Sequence, residues 1–196
     1  MIQVRRIFHS IDRLITPEWL PTWTLSALAL SLIFAYVLSS VGSPLQEKTG
    51  QTLAHLQISG SYPLLKWTPW GKDRAEDILK NWKEKGALSD ARRAQKIDFF
   101  FPFAYGTFFL LFSIGMWRCH PKYPRGGKWV WCLALGTVAA ALDEVENIFM
   151  CLMLSFGGGP AQVFSVFASL FAIPKLLLLC LVVPVIFLLA LRRARG

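Results

Sequence analysis

Four long apolar segments determine what this chain can fold into. They occupy residues 22–41, 97–117, 129–156 and 163–191, and each reaches the length of about 20 apolar residues that a helix needs to cross a bilayer. Only 17% of the residues are charged, against about a quarter in a soluble domain. We therefore predict an all-α integral membrane protein, a four-helix bundle that forms a single membrane domain over residues 1–196.

Basic residues lie just outside the apolar segments and predict their orientation. They cluster before the first segment, between the second and third, and after the fourth. Because short Lys- and Arg-rich segments stay in the cytoplasm, we expect both termini on the cytoplasmic side of the cell inner membrane and residues 43–96 outside. The formal net charge of +9 then reflects topology, so the expected partners are membrane lipids and not nucleic acid. The first segment exceeds the apolar core of about 7–15 residues in a cleaved signal peptide, and we interpret it as an uncleaved span.

The outer segment 43–96 contains one amphipathic pattern. We predict a helix over residues 73–85 that begins with a capping box from Asp73 to Glu76 and ends at Gly86. Its apolar face comprises Ala75, Ile78, Leu79 and Trp82. Together with Trp67 and Trp70, this face predicts a helix at the outer membrane surface. We interpret it as a lid over the bundle ends in preference to a platform for substrate.

The third apolar segment carries a group of charges in its middle. These polar residues are Asp143, Glu144, Glu146 and Asn147. A charged side chain near the bilayer centre costs about 3 kcal/mol, so the carboxylates must be neutralised, paired or hydrated. On a helix all of them except Glu144 share one face, since residues three and four apart are neighbours. Gly136 and Ala140 form a small-residue pair that admits a neighbouring helix, which directs the polar face into the bundle.

Counting along antiparallel segments predicts which residues meet this polar face. Folding the chain about position 159 places Lys175 level with Asp143, and we expect the two to form an ion pair. Folding about position 123 places Asp98 opposite Asn147, with Tyr105 on the same face as Asp98. The predicted ligand- or ion-binding residues are therefore Asp98, Tyr105, Asp143, Glu146, Asn147 and Lys175.

This set of side chains is compatible with several functions. Carboxylate and amide oxygens suit a hard divalent cation, which makes a metal site a candidate at Asp98, Asp143, Glu146 and Asn147. One lysine cannot neutralise all the carboxylates, which favours a site that binds a cation or a polar lipid headgroup, with chemistry on a lipid left open. The alternatives are a proton- or cation-coupled transporter and an assembly or scaffold protein in which the cluster only joins helices. Motifs of serine hydrolases, metalloproteases and phosphate-binding loops are absent from the sequence.

Four sequence elements together show a resemblance. They are residues 75–82 (AEDILKNW), residues 98–105 (DFFFPFAY), residues 142–147 (LDEVEN) and a lysine in the last apolar segment. This combination resembles an uncharacterised group of small bacterial four-pass membrane proteins with an Asp-x-x-Glu-Asn element. The resemblance implies a four-helix membrane fold and singles out the same six candidate residues. It implies no reaction.

Overall fold

The computed structural model describes residues 16–61, 73–119 and 128–194, and all regular structure within those residues is helical. The elements are α1 (Leu20–Thr49), α2 (Leu53–Ile58), a 3-10 turn (Ser59–Ser61), α3 (Ala75–Glu84), α4 (Leu88–Asp98), α5 (Phe101–Cys119), α6 (Lys128–Phe156) and α7 (Gly158–Ala194).

Three stretches of helix are long and apolar enough to cross a membrane. They are α1, the stretch Leu88–Met116 in which α4 leads into α5, and residues Gly158–Ile186 of α7. These lengths and compositions are those of a membrane protein, as the sequence predicts. Helix α6 has a similar length of 29 residues, but it differs from the other three in carrying three carboxylates at its middle.

The long helices are not equal partners in a bundle. Helix α6 packs along both α5 and α7, whereas α1 packs on α4 and α5 and makes no extensive contact with α6 or α7 within the described residues. Large apolar side chains of α1, such as Trp23 and Tyr36, are exposed. The arrangement is a core of α5, α6 and α7 with α1 on its outside. Hydropathy cannot predict this difference, because apolar side chains suit lipid and a helix interface equally well.

Glycines bring α5 and α6 close together. A Cβ atom added at Gly106 would lie 2.7 Å from the Cβ of Ala140, and one added at Gly136 would overlap the ring of Phe109. Any larger side chain at either glycine would force the two helices apart. The close approach predicted for the pair Gly136 and Ala140 is therefore present, and α5 is the helix that makes it.

Helix α7 returns antiparallel to α6 after a one-residue break. Gly157 and Gly158 adopt the left-handed conformation, with φ of +60° and +55°, and the Gly157 amide caps α6 on the Met153 carbonyl at 3.0 Å. Helix α7 buries a stripe of residues spaced three, four or seven apart: Ala161, Ser165, Ala168, Ala172, Lys175 and Val182. This stripe packs on α6 and leaves most of the remaining surface of α7 outward.

Helices α2 and α3 and the 3-10 turn form a lid over one end of α6 and α7. Trp82 of α3 is fully buried in a cluster that includes Met150 and Met153 of α6. The 3-10 turn lies directly against α7, because a Cβ atom at Gly60 would overlap the backbone of Ser165. The apolar face of α3 therefore contacts protein, which agrees with the lid interpretation and not with a helix resting on lipid.

The ends of α3 differ in how well they were predicted. The prediction of a capping box is wrong. Arg74 is the N-cap residue, and it makes no side-chain capping bond. The Asp73 carboxylate instead accepts a hydrogen bond from Gln51 Nε2 at 3.0 Å. The predicted end is correct, since Gly86 has φ of +65° and the Ala87 amide bonds back to the Trp82 carbonyl at 2.8 Å. Trp67 and Trp70 lie outside the described residues.

Candidate functional site: a buried charge cluster

An ion-paired lysine lies at the centre of the cluster. Lys175 Nζ is 2.8 Å from Asp143 Oδ1 and 2.6 Å from Glu146 Oε2. The three side chains are buried, with exposures of 7% for Lys175, 5% for Asp143 and 0% for Glu146. Asp143 and Glu146 reach the same ammonium group because they lie three residues apart on one face of α6. The ion pair between Lys175 and Asp143 that antiparallel counting predicts is present, and Glu146 is a second acidic partner of Lys175.

Tyr105 joins this group from α5. Its buried hydroxyl donates a hydrogen bond to Asp143 Oδ2 at 2.7 Å. Since Lys175 donates to the other oxygen, both oxygens of Asp143 have a partner. Asp143 therefore links three helices, α5, α6 and α7.

Asn147 extends the cluster to α4. Its Nδ2 donates to the backbone carbonyl of Asp98 at 3.3 Å, and its Oδ1 accepts from Gln95 Nε2 at 2.8 Å. The Asp98 carbonyl is available because Pro102, four residues on, has no N–H to complete the helical hydrogen bond. Gln95 is the residue that the sequence analysis missed. Its position one turn before Asp98, on the same face of α4, is the signal that points to it.

The negative charges outnumber the positive charge. Asp98, Asp143 and Glu146 are all buried, and Lys175 is their cationic neighbour. The Asp98 carboxylate makes no hydrogen bond or ion pair to another residue that the structure describes, although the residue is only 6% exposed. Neither oxygen of Glu146 has a hydrogen-bond partner there, although Oε2 is in ion-pair contact with Lys175. Lys175 thus compensates two carboxylates incompletely and leaves the third without a contact.

Glu144 lies apart from this network. The residue is partly exposed, although its Oε1 atom is buried without a hydrogen-bond partner among the described residues. It forms no ion pair with the side chains described for the rest of the chain. Its place agrees with the helical-wheel argument, which put it about 100° from Asp143.

The arrangement does not fit a metal ion at Asp98, Asp143, Glu146 and Asn147. Within residues 16–61, 73–119 and 128–194, no group of three or more His, Cys, Asp and Glu side chains is placed to hold one. The physical reason is that other donors occupy the candidate ligands. The Lys175 ammonium lies between Asp143 and Glu146, and the Asn147 oxygen already accepts from Gln95. The metal hypothesis is therefore set aside.

Apolar clusters lie on both sides of the charges. On the lid side, Trp82, Met150 and Met153 belong to one buried cluster. On the other side, Phe109 and Val182 belong to a second that spans α5, α6 and α7. Excluding water in this way strengthens the interactions among the charges and raises the free-energy cost of any charge left unpaired.

Comparison with models of protein families, with curated proteins and with solved structures found no match.

Proposed function

We propose that this chain is a multi-pass protein of a bacterial inner membrane whose buried charge cluster binds a cationic or polar lipid headgroup. Three helices of suitable length and hydropathy support the membrane assignment. Helix α6 serves as the fourth span in this proposal. Asp143 and Glu146 face the core, whereas outward positions such as Val138 and Ile148 are apolar.

The proposed topology places the lid outside and both termini in the cytoplasm. The lid packs where α6 ends and α7 begins, and the basic segments lie at the opposite ends of these helices. Short basic segments remain in the cytoplasm. The charge cluster then lies between the lid and the cytoplasmic half of the helices.

The surplus of buried carboxylates is the observation that carries the proposal. If the cluster only held helices together, Asp143, Lys175 and Tyr105 would suffice, because they already connect α5, α6 and α7. Glu146 shares the single charge of Lys175 with Asp143, and Asp98 contacts no cation among the described residues. Both would then add net buried negative charge, which costs several kcal/mol per ion when it is not compensated. A bound cationic group would compensate this negative charge and would account for the presence of Glu146 and Asp98.

Transport is a weaker interpretation of the same cluster. A transporter needs polar groups that lead from the site to both membrane faces. Beyond the cluster, the described parts of α5, α6 and α7 meet through the apolar side chains of Phe109, Ala140, Val182 and Val185. The hydroxyl groups at this level, those of Ser113 and Thr137, bond to the backbone carbonyls of Phe109 and Gly106. The layer therefore offers few polar groups to an ion or a proton.

The test compares wild type with two variants that each neutralise one surplus carboxylate, Glu146→Gln and Asp98→Asn. Glu144→Gln is the matched control, since it makes the same change on α6 outside the network. Each protein is purified and delipidated, and its melting temperature is measured before and after bacterial polar lipids are added back. Saturating ligand should raise the melting temperature of wild type and of the control by about 5–10 °C, and that of the two variants far less.

An equal response of all four proteins to lipid would overturn the proposal. The cluster would then be a helix-packing device. In that case Asp98→Asn should simply be more stable than wild type, because it removes a buried carboxylate that contacts no cation among the described residues.

A further inference from the structure

Two buried side-chain oxygens at the junction of α4 and α6 lack a hydrogen-bond donor among the described residues, Oε1 of Gln95 and Oε1 of Glu146. The carboxylate of Asp98, a residue that is 6% exposed, lies on the same face of α4 as Gln95. Gln95 and Glu146 are 1% and 0% exposed, and Gln95 contacts Asn147, the sequence neighbour of Glu146. Buried polar atoms in native proteins nearly always have a partner. The group that completes this site must therefore supply donors.

The orientation of the two amides follows from the backbone. A carbonyl can only accept hydrogen bonds, so the Asp98 carbonyl requires the Nδ2 end of Asn147. Asn147 Oδ1 then faces Gln95 and requires the Nε2 end of Gln95. Gln95 Oε1 is left as an acceptor. Pro102 sets this chain of orientations, since it is the missing N–H of Pro102 that frees the Asp98 carbonyl.

Both the charge and the donor requirement restrict the ligand. A proton on Glu146 or Asp98 would neutralise one carboxylate and supply a single O–H donor, fewer than the oxygens of this site that lack one. A water molecule would donate hydrogen bonds but bring no charge. A primary ammonium group brings one positive charge and three N–H donors. Lys175 shows that an ammonium group is accepted by this cluster, since it contacts both Asp143 and Glu146.

We propose that the site binds the primary ammonium group of a ligand, through Gln95 Oε1, Glu146 Oε1 and the Asp98 carboxylate. This inference rests on the proposed function and names the chemical class of the headgroup. The ammonium group belongs either to phosphatidylethanolamine in the membrane or to a soluble amine that enters from the outer face.

The test uses the N-methylation series of one lipid. Phosphatidylethanolamine, its mono- and dimethyl derivatives and phosphatidylcholine keep the same single positive charge, while the N–H donors fall from three to none. Binding to the purified full-length protein is measured by native mass spectrometry. We expect affinity to fall stepwise and to be at least about tenfold weaker for phosphatidylcholine, since hydrogen bonds to charged groups are among the stronger ones.

Variants locate the preference in the protein. Gln95→Met and Glu146→Gln should each abolish most of the difference between the first and last lipids of the series. Gln162→Met is the matched control, because the Gln162 side-chain oxygen is also buried without a donor among the described residues but lies at the start of α7, away from Lys175. This control should discriminate as wild type does.

A second arm separates the two sources of the ligand. The protein is placed in phosphatidylcholine nanodiscs, and its melting temperature is measured with ethanolamine or with choline in solution. Stabilisation by ethanolamine alone identifies a soluble amine, whereas a response restricted to phosphatidylethanolamine identifies the lipid. Either result supports the ammonium site.

Equal affinity across the N-methylation series, or a lipid preference that Gln95→Met and Glu146→Gln leave intact, overturns the inference. If bacterial polar lipids still stabilise wild type but not Glu146→Gln, the proposed binding function stands and only the ligand class is wrong. If that response is also missing, both proposals fail.

Discussion

At the scale of single residues, Lys175 holds the cluster together. It compensates two carboxylates, one of which also binds Tyr105. Breaking a buried ion pair by removing one partner is far more destabilising than replacing both partners, because it leaves an uncompensated charge. The contribution of Lys175 to the free energy of unfolding therefore depends on the negative charges around it.

We expect Lys175→Met to lower the free energy of unfolding by about 3–5 kcal/mol. Reversible denaturation of the purified protein in detergent measures this quantity. The double variant Lys175→Met/Asp143→Asn should lose less than the sum of the two single variants, since the second change removes one of the stranded charges. Additive losses would contradict an energetic coupling between the two residues.

At the scale of elements, the end of α3 determines how the lid connects to α4. Gly86 reverses the chain direction in a left-handed conformation, and an added Cβ atom there would meet nothing within 4 Å. A substitution at this position therefore strains only the backbone. This makes Gly86 a clean probe of the lid.

Gly86→Ala should destabilise the protein by about 1 kcal/mol, which is the cost of the left-handed conformation for a residue with a Cβ atom. Gly42→Ala is the control, because Gly42 lies within α1 and also has open space around its Cα. The control should be neutral or slightly stabilising, since Ala favours a helix. The two melting temperatures, measured side by side, check this prediction. Equal effects of the two changes would show that the lid end does not contribute to stability.

At the scale of the whole molecule, the position of the lid tests the topology. Lys80 is on the exposed face of α3, whereas Lys122 is in the basic segment that the positive-inside rule assigns to the cytoplasm. In a cysteine-free background, a membrane-impermeant maleimide added to intact cells should label Lys80→Cys and spare Lys122→Cys. Labelling of Lys122→Cys alone would invert the proposed orientation.

At the scale of the whole molecule, much of the candidate site can be predicted from the sequence. Antiparallel counting brings Lys175 to Asp143 and Asp98 to Asn147, and the structure places both pairs in contact. Counting works because helices that span a common thickness have a constant rise per residue. It cannot reveal Gln95, whose role depends on a carbonyl that Pro102 leaves free. Nor can it show that Lys175 lies between Asp143 and Glu146, two of the candidate metal ligands.

The apolar segments and the patterning of basic residues by themselves determined a helical membrane protein with its charges in the third segment, since hydropathy and charge are local properties of the chain. The tertiary structure alone decided that α1 is peripheral, that Trp82 is buried beneath a lid, and which carboxylate oxygens remain without donors. Those outcomes depend on which helix faces pack together, and an apolar face has the same sequence pattern whether it contacts lipid or protein.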